Sequence, residues 1–114
     1  MHELSIAMSM IEMATGELEK HDGTRVNTLY LKLGALSGVV RDALLFSWEI
    51  ACRDTPLENA RLEIEEIPVV VFCANCRAQK TLDTINSFCC PVCRAPAAAI
   101  LQGKELEITA LEII

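Results

Sequence analysis

Two cysteine pairs constrain this chain more than any other feature. Cys73 and Cys76 close the stretch FCANC, and Cys90 and Cys93 close CCPVC. Thirteen residues, 77–89, separate the pairs. Two C-x2-C turns at this spacing point to one tetrahedral ion in a zinc-ribbon layout, because each short turn sets two sulfurs at the angle such an ion requires. The ion replaces the apolar core that so short a segment cannot build for itself. Four thiolates also make a closed, structural site with no open coordination position. Cys89 would give the less usual three-residue spacing to Cys93 and is read as a spare thiol. Cys52 stands apart and reads as a buried thiol on a helix. A thioredoxin-like redox role is disfavoured, because its strand–helix context is missing.

The rest of the chain has to supply its own core. The sequence runs to 114 residues, of which 52% are hydrophobic and only 4% aromatic. Leu, Ile, Val, Ala and Met must therefore fill the interior. Leu4, Ala7, Met8, Ile11, Ala14 and Leu18 recur at helical spacing, and Gly23 follows as a stop signal. Met8, Met10 and Met13 are read as core filler on that helix rather than as soft-metal ligands. Leu29, Leu31 and Leu33 alternate in a strand over 26–33, and GALSGVV reads as a turn. A second helix over 42–53 places Leu45, Trp48 and Cys52 on one stripe. Residues 60–67 and 104–114 alternate again, the latter with Leu106, Ile108 and Ala110 opposite Glu105, Glu107 and Thr109.

This order predicts an α+β fold: two helices packed on a three-stranded sheet, with an inserted zinc-ribbon-like module. The final strand is expected to return to the first sheet, since three strands bury a face better than two. The expected domains are 1–68 plus 104–114, and 69–103.

Charge and composition exclude several functions. The net charge of −6 disfavours non-specific nucleic-acid binding. Inside the cysteine module, Arg77, Lys80 and Arg94 stand against Asp83. Four thiolates with one Zn²⁺ cancel the excess, and only Phe72 and Phe88 offer stacking surfaces. No apolar run approaches the roughly 18 residues of a membrane span, and a signal-peptide layout is missing, so a soluble, cytoplasmic protein is expected. No phosphate-binding loop is present, and two histidines, His2 and His21, cannot build a histidine-based catalytic cluster. An enzyme is not expected.

The first three residues, Met1-His2-Glu3, add a second candidate site. The α-amine of Met1, the backbone nitrogen of His2 and the imidazole Nδ1 can close fused five- and six-membered chelate rings. Such a planar nitrogen set suits Ni(II) or Cu(II), which displace an amide proton, better than Zn²⁺. Glu3 adds a further backbone nitrogen and a carboxylate. Read locally, the same residues are an ordinary helix start, with Glu3 facing the helix dipole. His21, near a helix end, is the poorer candidate.

With both features in view, the chain resembles the HypA/HybF family of hydrogenase nickel-insertion proteins. The resemblance rests on MHELS, RVNTLYLKLGALSGV, FSWEIACRDT, the CANC and CPVC pairs, and the final ELEITALEII, and it spans essentially the whole chain. It implies Ni(II), as transferred cargo, on Met1, His2 and Glu3, and structural Zn(II) on Cys73, Cys76, Cys90 and Cys93. It also implies delivery of nickel to the [NiFe] hydrogenase large subunit, with a nickel-binding maturation GTPase as helper, and leaves homodimerisation open. The chain departs from the family at Arg94-Ala95, where members often carry a histidine or glycine. The competing reading is a zinc-ribbon interaction module without nickel.

Overall fold

The computed structural model describes residues 2–82 and 88–114. The first helix, α1 (His2–Lys20), starts two residues before the expected Leu4. It buries Ala7, Met10, Ile11, Ala14 and Leu18, one stripe at helical spacing. Met10 alone of the three nearby methionines is core filler; Met8 and Met13 are 59% and 60% exposed. The helix ends through Asp22, which takes a left-handed φ of 54°. Gly23, expected as the stop signal, donates its N–H to the Leu18 carbonyl at 3.3 Å at this helix end. A side chain there would run into Ile113 and Leu18, so the position needs a residue without a Cβ.

Strand β1 (Val26–Gly34) follows, then helix α2 (Arg41–Ala51) and strand β2 (Arg61–Ile67). The buried stripe of α2 is Leu44 and Trp48, continued by Cys52, which caps its C-terminus by donating to the Trp48 carbonyl at 2.9 Å. Leu45, expected on that stripe, is half-buried. The Trp48 indole N–H donates to the Ala60 carbonyl at 3.0 Å, so this large side chain is buried with its polar atom satisfied.

Four further strands follow among the described residues: β3 (Val69–Cys73), β4 (Ala78–Leu82), β5 (Ala99–Gln102) and β6 (Leu106–Ile113). They form two three-stranded sheets, ordered β2-β1-β6 and β4-β3-β5. The last strand therefore returns beside the first, as the alternation predicts. It runs antiparallel to β1: Ile114 donates to the Arg25 carbonyl at 2.9 Å, while Gly34 donates to the Glu105 carbonyl at 2.7 Å. The two helices and Val26, Leu29 and Leu31 of β1 enclose the main core.

One detail of β6 departs from simple alternation. Ile108, Leu111 and Ile113 all pack against the main core, whereas Ala110, expected inward with Ile108, is exposed. Burial changes parity between residues 108 and 111, which is what one extra residue in a strand produces.

By internal contacts the chain divides into two compact units. One comprises Met1–Lys32, Val39–Glu65 and Glu107–Ile114, and the other Leu33–Gly38 and Glu66–Leu106. The second unit has its own small core of Val69, Val71 and Leu82, with Leu36 and Ala97 against it.

Two glycines separate backbone crowding from backbone freedom. A Cβ on Gly34 would collide with the Gly103 main chain, whereas one on Gly16, within α1, meets nothing within 4 Å. Gly34→Ala is therefore expected to destabilise the protein by about 2 kcal/mol or more through overpacking. Gly16→Ala is expected to stabilise it by roughly 0.5–1 kcal/mol through helix propensity. Urea unfolding of the two variants checks both signs; the same sign for both would contradict the packing described here.

Candidate metal centres

The strand pattern explains how the cysteines converge. Val69, Val71 and Cys73 are the buried positions of β3, alternating with half-buried Val70 and Phe72. Period-two alternation thus aims the Cys73 sulfur to the same side as the small core. Strand β3 pairs antiparallel with β4, from Val69↔Leu82 to Cys73↔Ala78. Cys73 ends β3, and Cys76 lies in the connection between these strands. The second pair follows Cys89, whose backbone bridges to Pro96.

Each pair is closed by a backbone N–H to sulfur bond. The Cys76 N–H donates to the Cys73 sulfur at 3.4 Å, and the Val92 N–H to the Cys90 sulfur at 3.4 Å. In each case the residue after the second cysteine is left-handed: Arg77 at φ 55° and Arg94 at φ 64°. That conformation suits glycine better than a residue with a side chain. Arg94 then donates its N–H to the Cys90 carbonyl at 2.8 Å, and Cys90 donates to Ala95 at 2.8 Å.

The sulfurs of Cys73, Cys76, Cys90 and Cys93 all lie within 4.8 Å of one another. Across the two pairs, Cys73 and Cys93 are 3.4 Å apart, and Cys76 and Cys90 are 3.9 Å apart. A tetrahedral ion with metal–sulfur bonds of ~2.3 Å needs sulfurs about 3.8 Å apart. The four donors therefore fit such an ion. Cys89 lies outside this set, and buried Cys52, whose thiol burial pushes up to about 12, is far from ionising.

The surroundings are arranged to receive positive charge. Hydrogen bonds from the Asn75 side chain and then the Ala95 backbone lower the Cys93 thiol to about 6. The Cys93 and Val92 backbone N–H groups lower Cys90 in the same way, the Cys93 contribution being the larger. Cys76 is pushed up to about 12, first by its hydrogen bond with Cys93 and then by burial. Without a metal, the cluster thus holds its protons unevenly and titrates as a unit. A bound cation ionises all four. Asn75 escaped the sequence analysis because nothing in CANC distinguishes a donor from a filler residue until the second pair folds back beside it.

At the other candidate site, Met1 lies outside the described residues. His2 opens α1 with an exposed side chain, and its Nε2 is 3.7 Å from the Glu3 carboxylate. Glu3 is buried, at 7% exposure, and its Oε2 accepts the Val40 N–H at 3.2 Å. This bond ties the start of α1 to the residue that precedes α2. The Val40 N–H is the largest cause holding the Glu3 carboxyl below the usual carboxylate range. A depressed folded-state value means that the tie stabilises the fold above that range and is lost as pH falls through the lowered value. His21 pairs instead with Glu17 at 3.6 Å, at the opposite end of α1 from His2.

The chain is similar to known proteins over nearly its whole length. A family described as "Hydrogenase/urease nickel incorporation, metallochaperone, hypA" matches residues 1–113. The hydrogenase maturation factor HypA of Chloroflexus aggregans is 47% identical over 112 residues, covering 98% of each chain. Its counterpart in Roseiflexus sp. is 49% identical over 112 residues, covering 98% of this chain and 91% of that one. The solution structure of the Ni metallochaperone HypA from Helicobacter pylori aligns with a TM-score of 0.67 at 20% identity, over 100% of this chain and 98% of that one, and so shares the fold. The chain belongs to the HypA family of nickel-incorporation metallochaperones, proteins that carry a metal rather than catalyse a reaction.

Proposed function

We propose that this chain binds Ni(II) through Met1, His2 and Glu3 and delivers it to the [NiFe] hydrogenase large subunit during maturation, with a nickel-binding GTPase as helper. In this reading residues 1–68 plus 104–114 form the nickel-binding domain and 69–103 the zinc-binding domain, working in the cytoplasm. Structural Zn(II) is held by Cys73, Cys76, Cys90 and Cys93, since an all-thiolate tetrahedral set favours zinc over harder divalent ions.

The observation that carries the nickel reading is that α1 begins at His2. The first four N–H groups of a helix have no partner within it. Nickel can therefore displace the amide protons of His2 and Glu3 without breaking the helical ladder. The Glu3 carboxylate is already engaged by Val40, so Glu3 contributes its backbone nitrogen to nickel and its side chain to holding the helix start in place. The exposed His2 imidazole can swing onto the metal without leaving a core position.

Nickel titration of protein with an unmodified Met1 amine tests this. His2→Ala is expected to weaken nickel binding by roughly tenfold or more, with zinc still at one per chain by elemental analysis. One residue added before Met1 is expected to weaken it comparably, because the amine becomes an amide while every side chain is kept. Protons compete for the amine and the imidazole, so affinity is expected to fall as pH drops from about 7.5 toward 6. Unchanged affinity in both proteins would leave only a zinc-ribbon interaction module.

Cys90→Ser is expected to lose zinc and the order of the second unit. The helical circular-dichroism signal is expected to persist, because α1 and α2 both belong to the first unit, which has its own core. Loss of that signal on zinc removal would show instead that the units fold as one.

A further inference from the structure

The first unit carries a feature that nickel chemistry does not use. A groove of about 1200 Å³ runs between α1 and β6. Its helix wall includes Met13, Gly16 and Glu17, and its strand wall Ile108, Leu111 and Ile113. Strand β6 is an edge of its sheet, so the groove lies along a strand with no neighbour on its outer side among the described residues. Edge strands present alternate N–H and C=O groups outward and accept further strands. Met13, 60% exposed above this edge, is an apolar side chain not covered within the unit.

The two sides of β6 differ in chemistry. Toward α1 it shows Ile108, Leu111 and Ile113, which pack against the main core. On the other side are Tyr30 of β1, Thr109 and Glu112: the Tyr30 hydroxyl donates to Glu112 at 2.6 Å, and the Thr109 hydroxyl to the Tyr30 carbonyl at 3.4 Å. Glu107 is exposed one turn of the pleat before Thr109. Strand β6 carries two glutamates and no lysine or arginine. On the helix wall, Lys20 and His21 are both paired to Glu17, at 3.4 Å and 3.6 Å, and Glu12 is a further lining residue. A strand laid along this edge would meet apolar surface on one face and carboxylates on the other.

From this we infer that the β6 edge and the groove beneath α1 take up an extended segment of a partner protein in which apolar residues alternate with lysine or arginine. The segment adds a fourth strand to the sheet. Its apolar side chains enter the groove beside Met13, Ile108 and Leu111. Its cations lie on the opposite face toward Glu107 and Glu112. A second copy of this chain is the poorer match, because its β6 would bring two more glutamates and no lysine or arginine to an edge that already carries two glutamates. The inference stands whether or not the N-terminus binds nickel.

The test uses the full chain and a synthetic octapeptide alternating valine and lysine, with the valine–glutamate octapeptide as control, followed by titration in amide-resolved NMR. The valine–lysine peptide is expected to bind at least tenfold more tightly, to shift the amides of residues 106–113 and α1, and to slow amide exchange along β6. Gly16→Trp fills the groove from a position with open space around it, and Glu107→Lys reverses a charge on the exposed face. Each is expected to reduce binding at least tenfold with an unchanged far-ultraviolet spectrum. Equal binding of the two peptides, no binding of either, shifts centred elsewhere, or wild-type binding by both variants overturns the proposal. So does concentration-dependent dimerisation by sedimentation that Gly16→Trp abolishes, since the edge would then belong to a second copy.

Discussion

The last strand pairs with the first, and the rest of the structure depends on that pairing. Gly34 donates to Glu105 at one end of the ladder and Ile114 to Arg25 at the other. Closing a loop this long costs chain entropy, though only logarithmically with length. The pairing is repaid by Ile108, Leu111 and Ile113, which complete the core under the helices. Its consequence for the cysteine segment is topological. Held at both ends by strands, the segment is a closed insertion in which β3, β4 and β5 form their own sheet. Gly34 is the tightest point: Leu36 donates to the Gly103 carbonyl at 2.6 Å, and no side chain fits between the two backbones.

Within that insertion, strand parity and turn geometry do most of the work of building a metal site. Parity carries Cys73 inward with Val69 and Val71. Each cysteine pair then has a backbone N–H to sulfur bond and is followed by a left-handed arginine. A left-handed non-glycine residue is a local cost of order 1 kcal/mol, and Arg77 and Arg94 both bear it. The hydrogen bonds on Cys90 and Cys93 favour their thiolates, so part of the ionisation that a metal demands is prepared by the protein.

The two ends of the first unit show contrasting uses of a helix. At the start of α1, the Glu3 carboxylate fastens the helix to the Val40 N–H. Along the rest of α1, the useful property is what it leaves uncovered. Its buried stripe of Ala7, Met10, Ile11, Ala14 and Leu18 serves the core. The next positions around, Met13, Gly16 and Glu17, face an open groove along the β6 edge.

What the residues determined by themselves was local. Spacing of three and four residues marked both helices, alternation marked β1, β2 and β6, and the C-x2-C pairs named the four sulfurs that converge. These signals are legible because each depends on neighbours within a turn or a pleat. The tertiary structure decided what depends on distant partners. It set Glu3 against Val40, brought Asn75 to Cys93, exposed Met8 and Met13 while burying Met10, and shifted the burial parity of β6 so that Leu111 rather than Ala110 turned inward. None of these could be read from periodicity, because each is set by which surface of a helix or strand another element happens to cover, and that choice is made only when the sheet closes and the helices settle on it.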